Sequence, residues 1–241
     1  MRLLVTRPEP DARCQAETLA ARGHMPVLAP LLRIEFLPGV ELPLEGAQAL
    51  IVTSRNALRA LDHHSQRRQA LSLPLIAVGE ATASEAASLG FAKVIVGEGT
   101  AASLVGLIQE SFDPNAGPLV HLAGETLAFD LKPAVQAKGF QLRQPVLYRA
   151  NAAAALPPEA LIELTAGRLD GVILMSPRTA SIFAALVREH QVVTEARRLR
   201  CYCLSASVAE AAAPLRASMR VAARPREEDI LALISADAAS S

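Results

Sequence analysis

The chain has 241 residues, of which 51% are apolar, so it is not disordered and can bury the core of one large α/β domain or of two ordinary ones. Its 24 Lys and Arg residues balance its 24 Asp and Glu residues, so no overall field favours nucleic acid or an anionic membrane. Aromatic residues make up only 3% of the chain and tryptophan is absent, which leaves no stacking platform for single-stranded nucleic acid.

The cysteines and histidines indicate neither a metal site nor a redox motif. Cys14, Cys201 and Cys203 lack C-x-x-C spacing, and the last two share a face of a predicted strand, where they would pack in the core. His63 and His64 are adjacent, so on a helix their side chains diverge rather than chelate one ion. Because no long apolar segment opens the chain, we expect a cytoplasmic protein, and we expect no bound metal.

The chain opens with a predicted strand and its helix. An apolar run at 3–6 ends in Arg7 and a proline, and residues 12–22 have helical spacing that stops at Gly23. Residues 25–36 follow as an extended segment that contains two prolines. This segment is therefore predicted to be an edge strand or a strand that leads into a connector.

From residue 49 onward, strands and helices alternate, which predicts parallel pairing with right-handed crossovers. An alanine-rich connector at 151–158 ends this middle block, which forms a complete doubly wound unit. Its predicted strands are 49–53, 75–78, 93–96, 119–122 and 141–148, and its predicted helices begin at Asn56, 82, 101 and after 122.

The last block repeats the middle block in permuted order. Residues 171–180 echo 49–58, so that Ser176 corresponds to Ser54. Residues 201–234 match 75–108 without gaps, whereas the N-terminal residues 19–23 match 135–139. The C-terminal segment thus supplies a second copy of the first elements of the middle block, and the N-terminus a copy of the last ones.

Neither end of the chain can complete a sheet alone. We therefore predict two similar doubly wound parallel-sheet α/β domains joined by a two-stranded linker, the first of them discontinuous. The discontinuous domain would comprise residues 1–36 and 160–241, and the inserted domain residues 37–159 with the linker strands. Small molecules usually bind in clefts at the carboxyl ends of parallel strands, so we expect the site in a cleft between the two domains.

Hydroxyl groups, arginines and glycines follow the predicted strands, where helix N-termini leave backbone N–H groups unpaired. Several such ends facing one cleft could hold a ligand with many carboxylates or phosphates although the net charge is zero. Each Ser or Thr could instead be an ordinary helix cap, and each arginine could simply be solvated. The candidates are Arg7, Ser54, Arg55, Asn56, Gly79, Thr82, Gly124, Ser176, Pro177, Arg178, Ser205 and Ser207.

Five segments of the chain carry a family resemblance, namely 4–8, 53–57, 78–83, 146–148 and 176–178. In order and spacing they resemble the uroporphyrinogen-III synthase family, and the resemblance extends over the whole chain. The sequence departs from the family pattern at Val208, where a Thr is usual, so that a hydroxyl role would pass to Ser205 or Ser207. A second departure is Ala128, where the family often has Arg.

The resemblance implies a heme-biosynthesis enzyme, a hydro-lyase that closes linear hydroxymethylbilane to uroporphyrinogen III with loss of water and inversion of the terminal pyrrole. Unaided closure gives the symmetric isomer, so such an enzyme mainly has to fold its substrate. The resemblance also implies two α/β domains, no cofactor and a polycarboxylate small-molecule substrate. We expect a monomer that binds neither nucleic acid nor membrane and that contacts the preceding pathway enzyme transiently.

Tyr148 matches the linker tyrosine of the family. A phenol with an ordinary pKa of ~10 can donate a proton to the departing hydroxyl and remain neutral, although packing at a strand end is an equally open interpretation. Thr82 would assist by hydrogen bonding, and Arg149 would join the other candidate arginines in binding acetate and propionate groups.

Two functions of other classes remain as alternatives. A non-catalytic two-domain small-anion binding protein of the periplasmic-receptor kind would share the hinge and the cleft, but it should carry a secretion signal. A nucleotide-using transferase should have a glycine-rich phosphate loop after a strand, and the best match, residues 97–99, lacks the third glycine.

Overall fold

The computed structural model describes residues 1–239, which fold into two compact units. The discontinuous unit combines Met1–Arg33 with the chain from Asn151 onward, and the inserted unit comprises Ile34–Ala150. The sequence predicts that the chain returns from the inserted unit to the discontinuous unit between residues 159 and 160. Residues 151–159 instead belong to the discontinuous unit, because Ala153 donates a backbone hydrogen bond to Leu31 and Leu156 is buried in its core.

The helices and strands have the following bounds. The chain begins with β1 (Arg2–Val5), α1 (Asp11–Ala21), β2 (Met25–Leu28) and β3 (Leu32–Phe36). It continues with β4 (Ala49–Val52), α2 (Arg55–Asp62), α3 (Arg67–Leu71), β5 (Leu75–Ala77), α4 (Glu80–Leu89), β6 (Val94–Val96), α5 (Leu104–Ser111), β7 (Leu119–Gly124), α6 (Leu131–Gln136), β8 (Leu142–Arg143) and β9 (Val146–Ala152). The C-terminal part adds α7 (Pro158–Thr165), β10 (Gly171–Leu174), α8 (Pro177–Glu189), α9 (Val193–Ala196), β11 (Arg200–Cys203), α10 (Ala206–Ala212), a 3₁₀ turn (Ala213–Leu215), β12 (Ser218–Val221) and α11 (Glu227–Ala239).

The two sheets have the same strand order, although the chain enters that order at different points. In the discontinuous unit the order is β12-β11-β10-β1-β2, and all its pairs are parallel. In the inserted unit β6-β5-β4-β7 are likewise parallel, and β8 follows β7. The α/β fold class with parallel sheets is thus confirmed, and the sheet orders account for the permuted repeat.

Helices cover both faces of the sheet in the inserted unit. Leu50 and Val52 of β4 pack on one face with α2 and α4, while Ile51 packs on the other face with Leu104 of α5 and Leu131 of α6. Strands β4, β7 and β10 are buried along their whole length, as is typical of parallel strands covered on both sides. Polar side chains are therefore concentrated beyond the strand ends.

The predicted strand 141–148 is in fact two strands. β8 pairs with β7 at Leu119 and Val120, whereas β9 pairs with β7 at Ala123 and Gly124 after a shift of register. Pro145 lies between them and has no N–H for the ladder, but its carbonyl accepts a hydrogen bond from the Ala123 N–H. The shift brings β9 alongside the carboxyl end of β7.

Strands β3 and β9 carry the chain between the units and are neighbours in the larger sheet. The Leu37 N–H donates to the Leu147 carbonyl over 2.8 Å, and the Ala153 N–H donates to the Leu31 carbonyl over 3.0 Å. Because the numbers rise along one strand and fall along the other, the pair is antiparallel.

Glu163 ties α7 to the start of β1 and allows a test of the discontinuous unit. Its carboxylate accepts hydrogen bonds from Arg2 and, over 2.7 Å, from Arg168, and these bonds lower the pKa of Glu163 from 4.5 to about 2. We expect Glu163→Gln to reduce the free energy of unfolding at pH 7. Since the pKa is lower in the fold than in the unfolded chain, this loss should vanish as the pH falls from 4.5 towards 2.

Urea denaturation of both proteins at a series of pH values measures this difference. Glu17→Gln, at an exposed position of α1 in the same unit, is the matched control and should change stability little at any pH. A deficit of Glu163→Gln that persists unchanged at pH 2 would contradict the assigned ion pairs.

Candidate functional site

The candidate site lies where the strand order of the inserted unit reverses. β5 and β6 lie on one side of β4, and β8 and β9 lie beyond β7 on the other side. The helix that follows β4 packs on one face of the sheet and the helix that follows β7 packs on the opposite face. In doubly wound folds, ligands bind in the crevice that opens between two such strands at their carboxyl ends.

Ser54 follows β4 and caps α2. Its backbone is extended (φ −153°), and its hydroxyl oxygen accepts a hydrogen bond from the Asn56 N–H over 3.2 Å. Ser54 is also hydrogen-bonded to the phenol of Tyr148. Helix capping and a place in the candidate site are therefore combined in the same side chain.

The phenol of Tyr148 occupies the space above Gly124, the last residue of β7. A Cβ atom placed on Gly124 would lie 2.6 Å from Cζ and 2.8 Å from the hydroxyl oxygen of Tyr148, closer than non-bonded atoms can approach. The absence of a side chain at Gly124 thus makes room for the tyrosine. Burial raises the pKa of Tyr148, and the hydrogen bond from Ser54 opposes part of that rise, so the group is a neutral proton donor at physiological pH.

Gly79 and Thr82 lie one strand further along, at the start of α4. Gly79 is the N-cap residue with extended backbone, and a Cβ on it would lie 3.2 Å from the Cα of Gly99 in the loop after β6. Thr82, in the first helical turn, is only 6% exposed. Within residues 1–239, no hydrogen bond joins Thr82 to Tyr148, so their predicted cooperation is not built into this structure.

The polar groups flanking the Ser54–Tyr148 pair are already engaged. Asn56 accepts a hydrogen bond from Arg59 over 3.1 Å, and Arg55, the first residue of α2, is half-buried. The Arg149 Nε lies 2.9 Å from the Glu125 carboxylate, and these side chains are 47% and 55% exposed. Because exposed pairs contribute little stability, Arg149 can exchange Glu125 for a ligand carboxylate at low cost.

The corresponding strand ends of the discontinuous unit carry helix caps. The Ser176 hydroxyl accepts from the Thr179 N–H over 3.1 Å, while Pro177 and Arg178 are the first two residues of α8. Ser205 precedes α10 without making a side-chain cap bond, and its hydroxyl lies 2.9 Å from that of Ser207.

Val208, which stands at the usual position of a family Thr, is 1% exposed and belongs to the hydrophobic core. The side chains of Ser205 and Ser207 are more exposed than that of Val208, so they are the hydroxyl groups available near this end of α10.

Arg7 is held by carboxylates of its own unit. Its Nη1 lies 2.8 Å from Glu227 and its Nη2 lies 3.3 Å from Asp11, and the arginine side chain is only 14% exposed. Arg7 therefore links the start of α1 to the start of α11. A ligand carboxylate could bind it only by displacing one of these partners, which makes it a poorer candidate than Arg149.

His121 is a buried polar residue that the sequence argument missed. It lies in the middle of β7 with no exposed surface, and its ring nitrogens lie 3.2 Å from the Thr53 hydroxyl and 3.2 Å from the Gln144 side-chain oxygen. Burial lowers the pKa of His121, so the ring is neutral at physiological pH. A histidine inside an otherwise apolar strand was the signal that could have drawn attention to it.

The buried cysteines are core residues, and the described residues offer neither a metal-binding cluster nor a membrane-spanning helix. Cys201 and Cys203 are buried thiols whose pKa values burial raises to about 12 and about 11, so they are unreactive core residues. In the part of the chain from 1 to 239, no group of three or more His, Cys, Asp or Glu residues could hold a metal ion. Over the same residues, no helix combines the length and apolarity needed to cross a membrane.

The chain forms a duplicated doubly wound α/β protein, because its two sheets have the same strand order and are built from a permuted repeat. A tyrosine lies at the strand-order reversal of the inserted unit. A family model described as uroporphyrinogen-III synthase HemD matches residues 15–232, and the chain belongs to this family. Family membership places it among the enzymes of porphyrin and heme biosynthesis, which act on a small tetrapyrrole.

Two solved structures of uroporphyrinogen-III synthases have the same fold as this chain. A uroporphyrinogen-III synthetase from Helicobacter pylori 26695 is 17% identical with a TM-score of 0.65, and the match covers 98% of each chain. A mutant uroporphyrinogen III synthase from the extremely thermophilic bacterium Thermus thermophilus is 16% identical with a TM-score of 0.62, over 99% of this chain and 98% of that one. No curated protein gives a significant match.

Gly124→Ala tests the packing of the tyrosine. The added methyl group should displace the phenol from above the strand, expose it to water and bring its pKa back towards 10.0. Ultraviolet titration of phenolate can detect this, because the chain has two tyrosines and no tryptophan, and the other tyrosine, Tyr202, titrates at about 12.

Gly106→Ala is the control for this substitution. Gly106 lies in α5 of the same unit with no atom within 4 Å of an added Cβ, so alanine should leave the tyrosine titration unchanged. If Gly124→Ala also titrated as the unmodified protein does, the close contact with Tyr148 would be wrong.

Proposed function

We propose that this protein is a uroporphyrinogen-III synthase, a hydro-lyase that converts hydroxymethylbilane to uroporphyrinogen III without a cofactor. Family membership supports the pathway, and the observation that carries the chemistry is the neutral phenol of Tyr148 at the strand-order reversal of the inserted unit, hydrogen-bonded to Ser54. A proton donor of this kind fits a reaction that begins with the loss of a hydroxyl group.

In the proposed reaction, the Tyr148 phenol donates its proton to the departing hydroxyl, the carbon–oxygen bond breaks and water leaves. The electron-deficient carbon is then attacked by the substituted carbon of the terminal pyrrole, which gives a spirocyclic intermediate. That intermediate opens and closes again with the pyrrole inverted, and the proton lost on aromatisation restores the phenol. A donor hydrogen bond from Ser54 stabilises the transient phenolate.

Most of the catalysis would come from holding the flexible substrate in a curved conformation that brings the reacting carbons together and favours attack at the substituted carbon. Its carboxylates would be bound by hydroxyl groups, helix N-termini and arginines at the strand ends. Arg149 supports this proposal best, because its present partner is exposed and easily exchanged. The proposed contacts are Ser54, Arg55, Asn56, Gly79, Gly124 and Arg149 in the inserted unit, and Arg7, Ser176, Pro177, Arg178, Ser205 and Ser207 in the discontinuous unit.

We also propose that the protein acts as a monomer. Because hydroxymethylbilane closes spontaneously to the wrong isomer, a brief contact with the enzyme that makes it would protect the substrate during transfer.

The deciding experiment incubates the pure protein with freshly prepared hydroxymethylbilane and separates the oxidised products. The type III isomer in excess over the protein, well above a protein-free control, would establish turnover. If only the type I isomer formed, at the spontaneous rate, the protein would not be this enzyme, and a non-catalytic anion-binding role would become the better account.

Tyr148→Phe should lower turnover by roughly 10²-fold, because general acid catalysis typically contributes that much or more, while the fold stays intact. Initial rates and circular dichroism of the purified variant measure the two effects separately. A variant with the unmodified rate would remove the phenol from the mechanism and leave the residue with a packing role.

Tyr202→Phe is the matched control, since it deletes the other phenol of the chain. Tyr202 is buried in β11, and its hydroxyl donates to Asp237 over 3.1 Å. This variant should lose about 1 kcal/mol of stability through the missing hydrogen bond and keep its turnover per folded molecule.

Thr82→Val tests the proposed role of the Thr82 hydroxyl with a residue that the repeat itself contains at the equivalent position. The equivalent position in α10 of the discontinuous unit is Val208, so a valine fits the first turn of such a helix. We expect turnover to fall about tenfold if the hydroxyl hydrogen-bonds in the transition state, with stability changed by less than about 0.5 kcal/mol. Unchanged kcat and KM would assign Thr82 a structural role only.

A further inference from the structure

His121, Gln144 and Thr53 form a hydrogen-bonded chain beside the candidate site. Nδ1 of His121 lies 3.2 Å from Gln144 Oε1, and Nε2 lies 3.2 Å from Thr53 Oγ1. The histidine is fully buried in β7, whereas Thr53 is half-buried and immediately precedes Ser54 at the end of β4. The chain thus leads from the interior of the sheet to the strand-order reversal.

The partners of the ring determine which nitrogen carries its proton. An amide oxygen can only accept a hydrogen bond, so Gln144 requires a proton on Nδ1. In the neutral ring Nε2 then has a free lone pair, and the hydrogen bond to Thr53 can form only if the threonine hydroxyl donates. Burial, which keeps the ring neutral, maintains this arrangement.

The consequence concerns the hydroxyl group of Thr53, which is half-buried and adjacent to Ser54. A threonine hydroxyl normally rotates and can donate or accept, but here its single hydrogen points inward to His121. The oxygen lone pairs that remain can only accept. Thr53 therefore offers an acceptor at the end of β4, and a ligand with an N–H group would match it, while a ligand carboxylate or carbonyl would not.

We propose that His121, oriented by Gln144, is a positioning residue that keeps the Thr53 hydroxyl as a hydrogen-bond acceptor for a pyrrole N–H of the bound tetrapyrrole. This inference rests on the proposed function, because a linear tetrapyrrole is a polycarboxylate that also carries a row of N–H donors. Helix N-termini and arginines can bind its carboxylates, but they cannot accept from its nitrogens. Thr53 supplies such an acceptor beside Ser54, at the end of β4.

The first test is spectroscopic and needs no substrate. In protein labelled with ¹⁵N in its five histidines, His121 should show a proton on Nδ1 and an unprotonated Nε2, assigned through the signal that changes in Gln144→Leu. A proton on Nε2 of His121 in the unmodified protein would overturn the proposal, because Thr53 would then be free to donate outward.

The second test compares kinetic constants for hydroxymethylbilane. Thr53→Val should raise KM roughly five- to tenfold with kcat little changed, since it removes a hydrogen bond made equally in ground and transition states. Thr53→Ser, which keeps a hydroxyl group, should restore most of the affinity. Gln144→Leu should raise KM by a similar factor, because the ring would move its proton to Nε2 and turn Thr53 into a donor.

The double variant separates positioning from general damage. If Gln144 acts through Thr53, then Thr53→Val combined with Gln144→Leu should have a KM no higher than Thr53→Val alone. If the two factors multiply, or if Gln144→Leu leaves KM unchanged, the proposed relay is wrong. Urea denaturation measures the stability of each variant separately. The proposal predicts no relation between a loss of stability and the change in KM.

Failure of the proposed function would look different. If the unmodified protein forms no type III product from hydroxymethylbilane, the pyrrole ligand assigned to Thr53 falls with the function. If it does form that product while the variants behave as the unmodified protein does, only the role of His121 and Thr53 is refuted.

Discussion

The close approach of the Tyr148 ring to the backbone of Gly124 is the constraint on which the rest of the candidate site depends. It requires a residue without a side chain at the end of β7, and it requires β9 to run beside that end. Pro145 provides the second condition by interrupting the ladder and shifting the register. The ring then reaches Ser54, whose capping position is fixed by α2, so the phenol is held between two neighbouring strand ends.

The two units share a strand order but differ in the chemistry of their strand ends. Ser54 and Ser176 occupy matching positions and both cap a helix, so the duplication has kept the local rule that starts a helix after a buried strand. The hydroxyl of Thr82, by contrast, is matched by the buried methyl groups of Val208. Met175 stands where the inserted unit has Thr53. The proposed proton chemistry therefore belongs to the inserted unit, whereas the helix starts at Ser176 and Ser205 in the other unit are proposed only as anion contacts.

Exposure distinguishes the arginines that hold the fold together from those that can serve a ligand. Arg7 is 14% exposed and bound to two carboxylates of its unit, whereas Arg149 is 47% exposed and bound to one. Water screens the exposed pair, so exchanging its carboxylate costs little, while the enclosed arginine would lose well-placed partners. In the proposed function, a chain with no net charge would bind a polycarboxylate by exchanging the partners of its exposed arginines.

The sequence by itself determined the α/β alternation, the permuted order of the two sheets and the caps at Ser54 and Ser176, because each follows from local periodicity, from repetition or from the hydrogen bonds of adjacent residues. Only the tertiary structure decided the division of strand 141–148, the place of Tyr148 above Gly124 and the partners of His121. These features depend on contacts between residues far apart in the chain, and their geometry is set by strand register, which no local pattern specifies.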